Sequence, residues 1–189
     1  MNYIALDFET ANYSAAAACS LGMAKFDQEG NIIDQWYSLI RPADTYFDPR
    51  CTAVHELNAD SCLAAPTFPR LWPDIQKFIG SNLIVAHNAA FDMRVLKSCF
   101  EYYNMEIPSL FYTCTLQLSR KCWPDLASHS LSAISEILEI DYRAHYALDD
   151  AINCGLLMAI ASQGHLENPE MLKAFLKDKH VSLKNINAI

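Results

Sequence analysis

The sequence holds no apolar run long enough to cross a bilayer, no signal-peptide pattern ahead of its first strand, no internal repeat and no low-complexity linker. A helical membrane protein and a repeat array are excluded, and a cytoplasmic protein is expected. Its 189 residues suffice for one domain with a sizeable core. Paired cysteines are missing as well. Cys19, Cys51, Cys62, Cys99, Cys114, Cys122 and Cys154 show no C-x-x-C spacing and are odd in number, which argues against zinc or a disulfide framework and for buried thiols. Basic residues are also scarce, with 14 Lys and Arg against 22 Asp and Glu for a formal net charge of -8. That deficit argues against tight, duplex-covering binding, which usually leaves a basic footprint. A site holding a few phosphates, with cations supplying the local positive charge, survives it. Such engagement would be weak and distributive unless a partner helped.

What is present is a globular composition, 52% hydrophobic and 19% charged, and an unusual first strand. Ile4-Ala5-Leu6-Asp7-Phe8-Glu9-Thr10 runs from apolar residues straight into alternating carboxylates. In a strand both acids face the same side. Two like charges about 5 Å apart repel by roughly 3 kcal/mol at an effective dielectric near 20, so buried acids would protonate unless cations sat between them. A divalent metal explains the pair economically. An edge strand with two solvated acids explains it too, and the rest of the chain has to decide.

Two further stretches add to the set. Leu83 to Ala86 is continuously apolar, as in a central strand covered on both faces, and leads into His87-Asn88-Ala89-Ala90-Phe91-Asp92. This places Asp92 one turn into a helix that starts at Asn88, with His87 and Asn88 holding the corner by hydrogen bonds. His145-Tyr146-Ala147-Leu148-Asp149-Asp150 opens a helix that runs through Ala151 to Ala161. Asp149 there reads as a helix-start acid favoured by the macrodipole.

Between these stretches, Ala15 to Phe26 and Ile32 to Ile40 complete an antiparallel meander with the first strand, turning at Glu29-Gly30-Asn31. Trp36 and Tyr37 read as sheet packing. Residues 42–65 read as irregular. Thr67 is placed to cap a helix carrying Phe68, Leu71, Ile75 and Ile79, closed by Gly80. Phe111 to Thr115 is a short strand, followed by a helix that Trp123-Pro124-Asp125 breaks. Ser130 to Leu138 is a further helix, Glu139 to Ala144 approaches the last motif, and Asn168-Pro169-Glu170 starts a final helix before a lysine-bearing tail. The pattern is α/β, a mixed sheet with flanking helices.

Asp7 with Glu9, then Asp92, then His145 with Asp150 together resemble the three motifs of the DEDDh 3'-5' exonucleases, the family that includes the proofreading epsilon subunit of bacterial DNA polymerase III. The resemblance spans roughly residues 2–162. It implies a ribonuclease H-like fold, with residues 1–164 as exonuclease domain and 165–189 as a C-terminal helix and tail packed on or extending it. It also implies two-metal hydrolysis with Mg2+ or Mn2+, hard ions that suit all-oxygen ligands. By the family's pattern Asp7 bridges both ions, Glu9 and Asp150 complete one, and Asp92 acts mainly through bound water. His145 removes a proton from the attacking water, as an imidazole titrating ordinarily near about 6.5 can do at neutral pH.

Tyr146 to Asp150 equally satisfies Y-x-x-x-D, the signature of the sister group that uses tyrosine, so either side chain could be the base on spacing alone. Thr10 and the backbone around Phe8 are expected at the terminal nucleotide, with Phe91 either packed inward or stacked on a base. Val54, His55 and Leu57 match an apolar-His-Gly-apolar segment that lies beside that nucleotide in the family. Glu56 departs from it, putting a charged side chain where relatives commonly carry glycine. The expected partners are single-stranded or frayed nucleic-acid 3' ends and no membrane. No glutamine-led clamp-binding peptide follows Gly164, so a DNA polymerase partner stays open. The leading reading is a DNA exonuclease of proofreading or repair type that releases nucleoside 5'-monophosphates. Its rivals are an RNA-trimming enzyme of the same chemistry, a non-catalytic nucleic-acid-binding subunit, and a hydrolase of free nucleotides.

Overall fold

The computed structural model describes residues 1–14, 16–140 and 143–188. Ala15 at the head of the expected second strand, residues 141–142 in the approach to the last motif, and Ile189 lie outside the described residues. Strands β1 (Tyr3–Thr10), β2 (Ala18–Phe26) and β3 (Ile32–Leu39) form the expected antiparallel meander. Helices α1 (Pro49–His55), α2 (Ala59–Cys62) and α3 (Phe68–Ile79) lead to β4 (Leu83–Ala86), α4 (Ala90–Tyr102) and β5 (Phe111–Cys114). After these come α5 (Thr115–Cys122), α6 (Leu131–Ile137), α7 (Ala147–Ser162), α8 (Pro169–Asp178) and β6 (Lys184–Asn185). The sheet order is β3-β2-β1-β4-β5-β6, with β1, β4 and β5 parallel and the other pairings antiparallel.

The pleat of β1 sorts its side chains between two cores. Ile4, Leu6 and Phe8 join Phe68, Leu71, Ile75 and Ile79 of α3 and Leu96 and Phe100 of α4. Tyr3 and Ala5 face the other way, onto Phe26, onto Cys154 and Met158 of α7, and onto Leu172, Phe175 and Leu176 of α8. All four residues of β4 are buried, as its unbroken apolar run requires. Helix α7 lies close against β1 and β2. The Tyr3 hydroxyl donates to the Gly155 carbonyl at 2.9 Å. A side chain at Gly22 would strike the backbone of Ala147 and Leu148, and one at Gly155 would strike the Phe26 ring. Among the described residues no helix is long and apolar enough to cross a membrane, and all seven cysteines are free.

Four expectations give way. The stretch read as irregular contains α1 and α2. Pro49, which resembles a breaker, is a favoured helix starter behind the Asp48 cap, and Asn58 and Ser61 form a reciprocal capping box. The second strand begins at Ala18. The helix bearing Asp92 begins at Ala90, because Asn88 takes a left-handed φ of 64°. Thr67 stands at the cap of α3 without a side-chain bond, since Pro69 removes one of the amide donors it would meet. The tail also adds β6, pairing Tyr112 with Lys184 and Phe111 with Asn185, and two residues carry no periodic signal.

Candidate active site

The site lies where the sheet opens between β1 and β4. Their parallel pairing ends at Ala5 and Val85, after which β4 turns into α4 while β1 runs on through Asp7 and Glu9. Phe8 has lost its strand neighbour on that side, and its N–H donates to Asp92 Oδ1 at 3.1 Å. Asp92, in the first turn of α4, is 1% exposed and so is fixed against the strand. The β1–β2 register shifts between Glu9 and Thr10, the kind of irregularity that re-aims side chains at a strand end.

Asp7 and Glu9 continue the stripe of Tyr3 and Ala5 toward α7, whose first turn carries Asp150, 8% exposed. The backbone N–H of His145 lies near the Asp150 carboxylate and favours its charged form. Among the described residues one ligand atom each from Glu9, His145 and Asp150 lie within 4.8 Å of one another. Asp7 is held well above the usual carboxylate range by burial first and then by the charges of Asp92, Asp150 and Glu9. Burial, then Asp150 and Asp92, push Glu9 up to about 8. Asp92 rises to about 7 through burial, against the pull of the Phe8 N–H. Asp150 rises to about 6, mainly through burial, with the His145 backbone N–H and ring opposing. The ion pairs among the described residues join Arg50 to Asp48, Arg143 to Glu56, Lys173 to Glu170 and Lys179 to Asp178, and none of these engages the four acids. The fold thus gathers four mutually repelling carboxylates and one imidazole, a donor set that fits hard divalent cations.

His145 stands outside the helix, exposed, with φ 63°. Tyr146 is the N-cap of α7, and its ring packs on Tyr37 at 4.8 Å. Asp149 accepts the Arg143 N–H at 3.1 Å. The Phe8 ring is core, 2% exposed, so Phe8 offers the cleft backbone only, with its N–H already on Asp92. Phe91 packs half-buried against the same core, with the Arg94 guanidinium 6.0 Å from its ring centre. Thr10 is half-buried, and its carbonyl contacts His55 Nε2 at 3.1 Å while His55 Nδ1 accepts the Leu57 N–H at 3.0 Å. These two contacts assign the proton to Nε2, and burial lowers the pKa of the His55 ring, keeping it neutral. His87 holds the β4–α4 corner as expected, through Thr115 and the His129 carbonyl, and burial drives its pKa down to about 4. Sequence reasoning missed Tyr37, Arg143 and Gly22 at this site. Arg143 and Glu56 lie 87 positions apart, and no spacing rule couples them.

The six-stranded mixed sheet with helices on both faces is the ribonuclease H-like architecture. It superposes on Exonuclease X in complex with 5' overhanging duplex DNA with a TM-score of 0.73 at 21% identity, covering 92% of this chain and 98% of that one. The nuclease domain of 3'hExo, a DEDDh family member bound to rAMP, gives 0.73 at 17% identity, covering 86% and 92%. A family model described as Exonuclease (RNase_T) matches residues 4–158, and the chain belongs to this family. It is 30% identical over 166 residues to the 3'-5' exonuclease DinG of Staphylococcus epidermidis, covering 85% of this chain but 18% of that protein. It is 28% identical over 155 residues to DNA polymerase III subunit epsilon of Aquifex aeolicus, covering 79% and 74%. Against the PolC-type DNA polymerase III of Oceanobacillus iheyensis it spans 11% of the relative's length.

Proposed function

We propose that the chain is a metal-dependent 3'-to-5' exonuclease that shortens DNA from its 3' end and releases nucleoside 5'-monophosphates, in proofreading or repair. The observation that carries this is the convergence of Asp7, Glu9, Asp92 and Asp150 beside His145, at one strand end, with their carboxyl pKa values driven upward. Such crowding destabilises a fold unless cations are bound, and a two-metal phosphodiesterase has that need. Asp7, Glu9 and Asp150 would hold two Mg2+ or Mn2+ ions, with Asp92 acting through water. When bound, the ions polarise the scissile phosphate and neutralise charge as it develops.

The chain's own groups do the rest. His145, exposed in the turn just ahead of the helix, takes the proton of the attacking water. Tyr146 is the poorer base because its ring is engaged by Tyr37. The carboxylate of Asp92 ties α4 to β1 and sets the cleft width at Phe8. Thr10, braced by His55, lines the approach of the terminal nucleotide. A net charge of -8 leaves little to hold a long strand, so release after each step is expected. A DNA polymerase is the protein partner that PolC and epsilon point to. RNA trimming is the second reading. A 3'-exonuclease solved for 3'-end specific recognition of histone mRNA stem-loop shares this fold, at a TM-score of 0.74.

The test is digestion of matched single-stranded DNA and RNA, labelled at either end, with Mg2+, Mn2+ or chelator. The reading expects 5'-labelled DNA to shorten one nucleotide at a time, only with metal. Faster loss of RNA moves the assignment to the second reading, and internal cuts or metal-independent cleavage end both.

A further inference from the structure

The exonuclease chemistry leaves Glu56 unused. It closes α1 with φ 64° and ψ 4°, a left-handed conformation that glycine adopts freely and a residue with a Cβ does not. What the chain gains for that strain is visible across the cleft. Glu56 Oε2 accepts from Arg143 Nη2 at 2.7 Å. Arg143 lies two residues before His145. Its guanidinium stands 5.6 Å from the Tyr146 ring centre, and its N–H donates to Asp149 at 3.1 Å. Tyr146, just after His145, is packed on Tyr37 of β3. On the other side, His55, next to Glu56, is tied to the Thr10 carbonyl at the end of β1. His145 is therefore an exposed residue in a left-handed turn, gripped on both flanks, and one grip reaches the strand that carries Glu9.

We propose that Glu56 and Arg143 are positioning residues, a charge pair that holds the His145 turn at the acid cluster. This rests on the exonuclease reading. Arg143 and Glu56 are well exposed, 66% and 76%, so the pair adds little to global stability and acts by narrowing where one turn can sit.

The experiment compares wild type with Glu56→Gly, Arg143→Ala and the double variant, measuring kcat and KM separately on a labelled oligonucleotide at saturating metal. Each single variant is expected to lower kcat about three- to fivefold, and the double no further, because both remove one interaction. Glu56→Gly relieves the backbone strain, so it should melt no lower than wild type while working more slowly. High salt should bring wild-type kcat toward that of the variants. A plain charge effect on phosphate binding instead moves KM, and in opposite directions for the two single variants. That result, additive losses, or an unchanged kcat in Glu56→Gly overturns the proposal. The NMR signal of the His145 ring, assigned by its loss in His145→Ala, reads the turn without turnover. It should shift or broaden in Glu56→Gly, and if it stays put the positioning role is refuted. A shifted signal in a protein that cleaves no nucleic acid would sink the exonuclease reading and leave the pair standing.

Discussion

Tyr3 to Leu6 and Asp7 to Thr10 are halves of one strand, yet the first half is at most 1% exposed and apolar while the second carries acids that repel one another and two more from α4 and α7. The first half gains from every atom it buries, on the order of 1.5–3 kcal/mol for each large apolar side chain. The second half loses stability in the absence of cations, since each raised carboxyl pKa measures how poorly the folded chain tolerates that charge. The packed half fixes the backbone on which the repelling half must sit. A site of this kind needs a rigid frame, because its groups would otherwise move apart.

The sharpest way to break this comparison is Asp7→Asn. It keeps size and removes one of the repelling charges. Turnover should fall on the order of 10^3-fold, as when a group that stabilises transition-state charge is lost. Metal-free Tm should rise, by about 3 °C if the relief is near 1 kcal/mol. A fall in both would mean the acids are not in conflict. Next in size is His145→Ala, expected to lower turnover about 10^2- to 10^4-fold, against near-normal rates for Tyr146→Phe, which keeps the ring that packs on Tyr37. The opposite ranking would give the base to Tyr146.

These residues were legible in the sequence for a physical reason. Alternating acids after an apolar run, an acid one turn into a helix and a histidine just before another are local patterns, and local patterns survive without coordinates. Apolar runs marked β1 and β4, and helical spacing of apolar residues marked α3, in the same way. What failed was contextual. Pro49 starts a helix only because Asp48 caps it, and β6 exists only because β5 offers an edge. Glu56 stood out only as a departure from the resembled motif; its left-handed turn and its Arg143 partner across the fold were not legible. Gly22 gave no local signal at all. Its reason is that it sits opposite Asp7 and beneath the backbone of Ala147.

That contact supplies the next test, which compares the start of α7 with its middle. Alanine at Gly22 would push on main-chain atoms that cannot rotate away, shifting the helix start that carries Asp150. Alanine at Gly155 would push on the Phe26 ring, stacked at 5.2 Å on Tyr3, away from the acids. Both overpack and should cost about 1–3 kcal/mol of stability. Only Gly22→Ala should also lower turnover of the folded fraction, by about tenfold or more, given the penalty for misplacing a reacting group. Equal turnover losses for equal stability losses would show that the helix start has no special hold on the site.

The smallest effect is the most direct reading of the repelling half. Asp150, Asp92 and Glu9 titrate near 6, 7 and 8 in the folded chain against ordinary values of 3.8, 3.8 and 4.5. Between about pH 4 and about pH 8 the folded state therefore holds more protons than the unfolded one, so stability must fall as pH rises through that window. In chelator, Tm should drop by about 3 °C or more from the acid to the alkaline end of the window, once acid unfolding elsewhere in the chain is separated by the same scan on Asp7→Asn. Mg2+ or Mn2+ binds the deprotonated acids, so the ions should raise Tm more at the alkaline end than at the acid end. A chelated protein whose Tm is flat across the window, or one that metal stabilises equally at both ends, would remove the strain on which the contrast within β1 depends.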